Sequence, residues 1–409
     1  MELLDKMQKE TESCINCGFC ESVCPTLPAS GFISSIGARG RVDIGKKLLD
    51  EMKLKKELTI EPFNSFYSCL DCFACLQVCP AGVNAGEVSQ LGREIITSND
   101  VFKKIDGKGI AKMIVSLTMK YKNPLGIRHK LDSWAEGLEF DDSSDTLFYT
   151  GNMYQLMAYT EGLGKIEKWL GRKMSNFMAG AVAKRPYVSY GFKLMKNGET
   201  QRLMENNLKN IYALLKKSGI KLKYLRSEEP YPGTFLHDLG YKTEFKEYVS
   251  FLVDYFKSES IKKIVVIDPH TYDLFKRVIP IEIGVFPFDV VYYLDLVDTE
   301  KFHKSEETVT FHEPCHLVLR NPEYNKPLDI VEYTGNLVMP PRSGKKTMCC
   351  GGPNELLFNN LAVKISKNRM EQLKDTGAKK IITACPICQV NLNLHGKTTD
   401  IGTYLASLS

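Results

Sequence analysis

The spacing of apolar positions changes character near residue 145. Before it, Val42, Gly45, Leu48, Leu49 and Met52 recur at three- and four-residue intervals with charged residues between them, which predicts helix. Beyond it, short apolar runs alternate with amphipathic stretches, the pattern of α/β structure. Residues 146–150, 220–225 and 261–267 read as strands. Met204, Leu208, Ile211 and Leu215 share one face of a helix over residues 201–217 that Gly219 stops, and Phe245, Val249, Leu252 and Phe256 mark another. The order then returns. Val309 and Phe311 sit in a strand running to Cys315, and residues 337–339 precede Cys349-Cys350-Gly351-Gly352. A helix follows through Leu357, Leu361 and Ile365, and residues 380–383 lead into Cys385-Pro386-Ile387-Cys388. The expected fold is an α+β multidomain chain. It has an α-helical module over 1–100, a linker over 101–144 and two α/β units over 145–300 and 301–409; the linker carries Asn123-Pro124-Leu125-Gly126 and the acidic Glu139-Phe140-Asp141-Asp142.

The two α/β units align as an internal repeat. Tyr149-Thr150-Gly151-Asn152 corresponds to His312-Glu313-Pro314-Cys315, Pro230-Tyr231-Pro232-Gly233 to Met348-Cys349-Cys350-Gly351, and Asp268-Pro269-His270-Thr271 to Cys385-Pro386-Ile387-Cys388. Pro232 and Asp268 are 36 positions apart, against 35 for Cys350 and Cys385. The first unit carries extra length between Asn152 and residue 200, including Lys165-Ile-Glu-Lys-Trp169 and Lys184-Arg-Pro. Basic and apolar residues at helical spacing suit an extra packed helix, with a membrane surface or a docked partner as the alternative.

Composition sharpens this picture through cysteine. Of 13, eight lie in two runs, Cys14-x2-Cys17-x2-Cys20-x3-Cys24-Pro25 and Cys69-x2-Cys72-x2-Cys75-x3-Cys79-Pro80. Three thiolates at two-residue intervals hold one [4Fe-4S] cluster, while the fourth, ahead of proline, reaches the other. Crossed ligation assigns Cys14, Cys17, Cys20 and Cys79 to a first cluster and Cys69, Cys72, Cys75 and Cys24 to a second, so the module over 1–100 is expected to be an α-helical ferredoxin module. Zinc is the alternative for C-x2-C pairs, and a disulfide framework fits less well. Arg39 and Arg41, just before the first predicted helix, read equally as contacts to a cluster's negative field or a partner and as a solvated helix start.

Net charge of +5 is mild and dispersed, which argues against nucleic acid as a partner. The opening Met-Glu-Leu-Leu-Asp-Lys has no cleavable apolar stretch, and no run is long enough to span a bilayer. A cytoplasmic location is expected, with peripheral attachment to the membrane face left open.

The other five cysteines are Cys315, Cys349, Cys350, Cys385 and Cys388, spaced C-(x33)-C-C-G-(x33)-C-x-x-C. Loops at the ends of successive strands would gather them at one sheet edge, where α/β folds place their sites. With this pattern the chain resembles, over essentially its full length, the CCG or cysteine-rich iron–sulfur family. That family includes the D subunit of heterodisulfide reductase, the glycolate oxidase iron–sulfur subunit and the C subunit of anaerobic glycerol-3-phosphate dehydrogenase. The resemblance implies that the five cysteines hold one noncubane [4Fe-4S] cluster. It also marks the first unit as degenerate, with Asn152, Tyr231, Pro232, Asp268 and Thr271 where a complete motif has cysteine. Asp268 and His270 are a weak candidate for zinc. His312 and His316 bracket Cys315 as possible hydrogen-bond or proton donors, or as structural residues.

The function implied is an iron–sulfur electron-transfer subunit of a flavin-dependent dehydrogenase complex, relaying electrons to a quinone or other carrier. Its FAD-containing partner would oxidise a 2-hydroxy acid such as glycolate or lactate, or glycerol 3-phosphate. No G-x-G-x-x-G stands in a strand-to-helix context, so neither flavin nor NAD is expected on this chain. The alternatives are a thiol/disulfide reductase subunit using its single noncubane cluster, and a scaffold with zinc at the five cysteines.

Overall fold

A computed structural model describes residues 2–54, 62–99, 102, 108–127, 131–185, 192, 195–354 and 356–409. The fold is mixed α/β, with parallel sheets behind a ferredoxin-type N-terminal part. There, the helices Glu2–Glu12, Ala38–Lys53 and Ala85–Ser98 pack on one another. Met7, Leu48 and Val88 are fully buried between them, each contributing roughly 1.5–3 kcal/mol by leaving water. Gly45 permits the close approach, because a Cβ there would lie 3.0 Å from Val88 Cγ1 and 3.1 Å from Met7 Sδ.

Two parallel sheets follow. In the first the order is β1 (Thr146–Tyr149), β2 (Lys263–Val266), β3 (Asp289–Tyr292). The second contains β4 (Thr308–His312), β5 (Asn336–Leu337), β6 (Lys380–Thr383) and β7 (Thr399–Asp400), in the order β5-β4-β6-β7. Helices cover both faces, so the strands read as unbroken apolar runs such as Ile264, Val265 and Val266. The sheets are tied together by Tyr292, which donates to the Ala384 carbonyl at 2.9 Å, and by Tyr154, which donates to Asp400 at 3.0 Å.

Three expectations change. Residues 220–225 form no full strand: only Lys223 bridges β1, at Leu147, before the chain turns left-handed at Arg226. The strand expected to run to Cys315 stops at His312, and Cys315 instead opens the helix Cys315–Val318. Within 101–144, expected as a linker, residues Lys108–Tyr121 form a helix whose Ala111, Ile114 and Leu117 are buried at the spacing of a packed face. The extra basic stretch becomes the helices Met153–Leu170 and Arg172–Lys184.

Candidate metal centres

The two cysteine runs fold alike. In each, the residue two beyond the first cysteine is left-handed, Asn16 at φ 57° and Asp71 at φ 54°, and so is the residue before the next helix, Gly18 at 81° and Phe73 at 62°. The short helices Phe19–Val23 and Ala74–Val78 follow, and Cys24 and Cys79 stand beyond them in extended backbone. Left-handed φ is unfavourable for phenylalanine. Here the ring is flanked by the guanidinium groups of Arg320 at 4.3 Å and Arg277 at 5.3 Å.

The fourth cysteine of the first run reaches across to the second. Cys24 lines one small cavity with Cys69, Cys72 and Cys75. On the other side, burial, Glu21 and then the charges of Cys24, Cys14 and Cys79 push the Cys20 thiol up to about 12. Burial, the largest single influence, would raise Cys24 as well, but the Arg41 guanidinium and hydrogen bonds from Thr26 and the Leu27 amide together outweigh it and hold this thiol below its usual value. Arg41 is wholly inside. Its Nε donates to the Ser65 carbonyl at 2.8 Å, its Nη2 to Thr26 and Ser68 at 3.0 Å each, and its Nη1 to Cys24 Sγ at 3.7 Å. Four sulfurs around a closed space, opposed by a buried cation, suit an anionic thiolate-bound iron–sulfur cluster. Arg39 lies at the surface, 3.7 Å from Glu21.

The five C-terminal cysteines also meet, and all are buried. Cys315 and Cys349 are 3.8 Å apart, Sγ to Sγ. Cys385 caps its helix by accepting from the Cys388 amide at 3.4 Å, and the Gly351 and Gly352 amides point at Cys349 and Cys350, at 3.5 and 3.4 Å. Both glycines are required for different reasons. Gly351 is left-handed at φ 87°, whereas a Cβ on Gly352 would lie 2.2 Å from Ile387 Cγ2. Hydrogen bonds from Cys349 and Cys388 hold the Cys350 thiol well below its usual pKa.

His312 belongs to this centre: one of its ring nitrogens and the sulfurs of Cys350 and Cys388 lie within 4.8 Å of one another. Arg369 donates through Nε to His312 Nδ1 at 3.1 Å, which leaves the proton on Nε2. Burial keeps the imidazole neutral by lowering its pKa. Arg369, itself fully buried, carries no sequence motif; only the end-of-strand position of His312 hinted at a partner.

In the first sheet the corresponding positions are consumed structurally. Asp268 caps its helix by accepting from the His270 and Thr271 amides at 3.0 and 2.9 Å, as Cys385 caps the helix after β6, and a proline follows each. Gly233 turns at φ 91° as Gly351 does. Asn152 donates to the Glu229 carbonyl at 2.9 Å, and the Tyr231 hydroxyl meets Thr234. The weak zinc candidate gains no third ligand among the described residues: Asp268 Oδ1 is bound to backbone, and His270 Nε2 pairs with Asp238 at 2.8 Å. Among the described residues, His312, Cys350 and Cys388 are the one group of three whose ligand atoms all lie within 4.8 Å of one another.

The two sets of cysteines are neighbours. Cys72 and Cys315 share one buried cluster with Cys349, Cys350, Cys385 and Cys388, and Cys315 adds to burial in raising the Cys72 thiol well above its usual value. Arg320 binds the joint, donating to the Asp71 carbonyl at 2.9 Å and pairing with Asp273 at 2.8 Å. His316 donates or accepts at Asp273, 3.1 Å away, and burial followed by the charge of His270 pushes its pKa down to about 4. Asp71, Asp273, His316 and Arg320 are far apart in sequence and were not legible there as a group. Beside them a cleft of about 70 Å³ is bounded by Cys69, His270, His316, Gly352 and Ile387.

Comparison with known proteins follows the same division. Residues 10–83 match the 4Fe-4S dicluster domain and residues 309–393 the cysteine-rich CCG domain. The D subunit of the dihydromethanophenazine:CoB–CoM heterodisulfide reductase of Methanosarcina barkeri is 24% identical over 94% of this chain and 88% of its own length. The EtfAB:quinone oxidoreductase of Syntrophomonas wolfei is 22% identical over 93% of this chain, which spans 54% of that protein. A probable glycolate oxidase iron–sulfur subunit of Bacillus subtilis is 37% identical over a shorter stretch, 24% of this chain and 22% of its own. With a dicluster domain at one end and a CCG domain at the other, the chain is an iron–sulfur oxidoreductase subunit related to the D subunit of heterodisulfide reductase and to glycolate oxidase iron–sulfur subunits.

Proposed function

We propose that the chain is the electron-relay subunit of a flavin-dependent dehydrogenase complex, with three iron–sulfur centres in a row. Cys14, Cys17, Cys20 and Cys79 would hold the first cluster, Cys24, Cys69, Cys72 and Cys75 the second, and Cys315, Cys349, Cys350, Cys385 and Cys388 a noncubane [4Fe-4S] centre. When bound, such clusters accept and pass one electron at a time, which suits a place between a two-electron flavin and a carrier. The observation that carries the reading is the shared burial of Cys72 with the five C-terminal cysteines.

The chain's own residues fit the assigned parts. Cys17 is exposed, and Ile15 and Phe19 beside it are 69% and 60% exposed, an apolar rim against which a partner's FAD subunit would dock. Arg41 offsets anionic charge at the second site, and His312 Nε2–H faces the third. A quinone or other lipophilic carrier is the favoured counterpart at the far end. An apolar cavity of about 130 Å³, lined by Met113, Leu125 and Met178, shares Ile114 and Leu356 with the cleft beside Gly352. One relative's name includes a quinone. The units over 145–300 and 301–409 are read as two copies of one fold, on the matched caps at Asp268 and Cys385. The partner's substrate is proposed as a 2-hydroxy acid or glycerol 3-phosphate.

A second reading, a thiol/disulfide reductase with one noncubane centre, rests on the cleft opening between Gly352, His270 and His316 and on the similarity to a heterodisulfide reductase component over 94% of the chain. Anaerobic affinity purification from the native host separates the two. Co-purification of a stoichiometric FAD dehydrogenase whose substrate reduces this chain supports the relay. A complex free of flavin, with a centre whose spectrum changes on adding thiol, supports the reductase.

A further inference from the structure

The helix Arg172–Lys184 turns its largest apolar side chains away from the protein. Its inward face carries Ser175, Asn176 and Ala179, all buried, with Val182 and Ala183 packed against the core, and Asn176 accepts from the Ile110 amide at 3.2 Å. Its outward stripe runs Lys173, Met174, Phe177, Met178, Ala181, Lys184, with Arg185 following. Phe177 is 75% exposed, Met174 and Met178 50% each, and Trp169, in the last turn of the helix Met153–Leu170, 83%. Ordinary surface helices bury that set and expose the serine and asparagine. This face of small and polar residues is fixed inward by very close packing on the helix Lys108–Tyr121, where a Cβ on Gly109 would lie 1.8 Å from the Asn176 carbonyl oxygen and Ser116 donates to the Ala183 carbonyl at 2.9 Å. The apolar stripe therefore cannot turn inward.

Charge selects what covers it. Between positions 165 and 185 the sequence carries Lys165, Lys168, Arg172, Lys173, Lys184 and Arg185 against Glu167 alone, and the helix Lys108–Tyr121 has no acidic residue. Aromatic and thioether side chains set among cations match the interface of an anionic bilayer, where the rings sit at headgroup depth and the ammonium groups meet lipid phosphates. We infer that the turn at Trp169 and the helix Arg172–Lys184 form an in-plane membrane anchor for anionic lipid. No helix among the described residues is long and apolar enough to cross a membrane, so attachment by this surface is of the lying-on type. The inference goes beyond the relay and does not depend on which metals the cysteines hold.

The test is flotation of the anaerobically purified, cluster-loaded chain with vesicles of phosphatidylglycerol or of phosphatidylcholine. The anionic vesicles should carry about tenfold or more of the protein relative to the zwitterionic ones, and added salt should reverse the difference. Trp134 is fully buried, so a blue shift in emission on adding vesicles would report Trp169. W169S/F177S and K173E/K184E, all but Trp169 on the outward stripe and each tested for unchanged iron content, should both lose the binding. Equal partition onto both lipids, unaltered binding by both variants, or a wild-type chain that ignores vesicles and binds only an acidic membrane protein would each overturn the inference.

Discussion

Arg41 Nη1 lies 3.7 Å from the sulfur of Cys24, a contact between residues 17 positions apart that places a fully buried cation at the point where the first cysteine run crosses to the second. The same guanidinium satisfies Ser65, Thr26 and Ser68. Arg41→Met would strand those groups and remove the charge that favours thiolate at Cys24. We expect a loss of roughly 3 kcal/mol of stability and a more negative potential for the second centre. Thermal unfolding and an EPR-monitored redox titration read both, and Arg41→Lys should recover part of the potential.

Gly351→Ala and Gly352→Ala should strip the C-terminal centre alone. The first forces a side chain into left-handed backbone, and the second drives a methyl group into Ile387. Iron should fall from about twelve to about eight per chain, three and then two four-iron centres. Unchanged iron in both variants would place that metal elsewhere.

Ile15→Glu and Phe19→Glu alter exposed side chains beside Cys17 and should leave iron content intact. Electron transfer with the flavoprotein partner should slow by about tenfold or more as the apolar rim is lost. A rate equal to wild type in stopped-flow mixing would move the docking surface away from the first run.

His237 gives the fold a pH dependence. Burial lowers its pKa, but hydrogen bonds with Asp238 and Glu282 prevail and raise it from 6.5 to about 10. This stabilisation is fully present below pH 6.5 and is lost as pH rises through about 10. Glu282 works in the opposite direction: burial would raise it, yet His237 and Lys242 take it from 4.5 to about 2, so its contribution is present above pH 4.5 and lost as pH falls through about 2. His237→Gln should lower stability by roughly 3 kcal/mol near pH 6 and flatten the alkaline decline. Because the adjoining carbonyls of His237, Asp238 and Leu239 accept from Gln90, Arg93 and Tyr67, the N-terminal helices should loosen first.

What the sequence made legible follows from the range of each interaction. Helical periodicity is local, so Met204 to Leu215 and Phe245 to Phe256 were readable; cysteine spacing is nearly local, so both runs and the CCG pattern were too. The isolated bridge at Lys223 was not, because a strand depends on its neighbour as much as on its own residues. Nor was the group of Asp71, Asp273, His316 and Arg320, which separate segments assemble. The stretch that forms the helix Arg172–Lys184 reads as helical and basic from its sequence alone. Its inverted orientation is set by Gly109 and Asn176, and no periodicity reveals which face a helix will be made to bury.

Three iron–sulfur centres on one chain are tested most directly by the metal and acid-labile sulfide content of the anaerobically purified protein, read together with its EPR or Mössbauer spectra. About twelve irons per chain are expected, with no stoichiometric zinc and a third signal unlike the two cubanes. About eight irons with one zinc would contradict this, leaving the five C-terminal cysteines as a structural site.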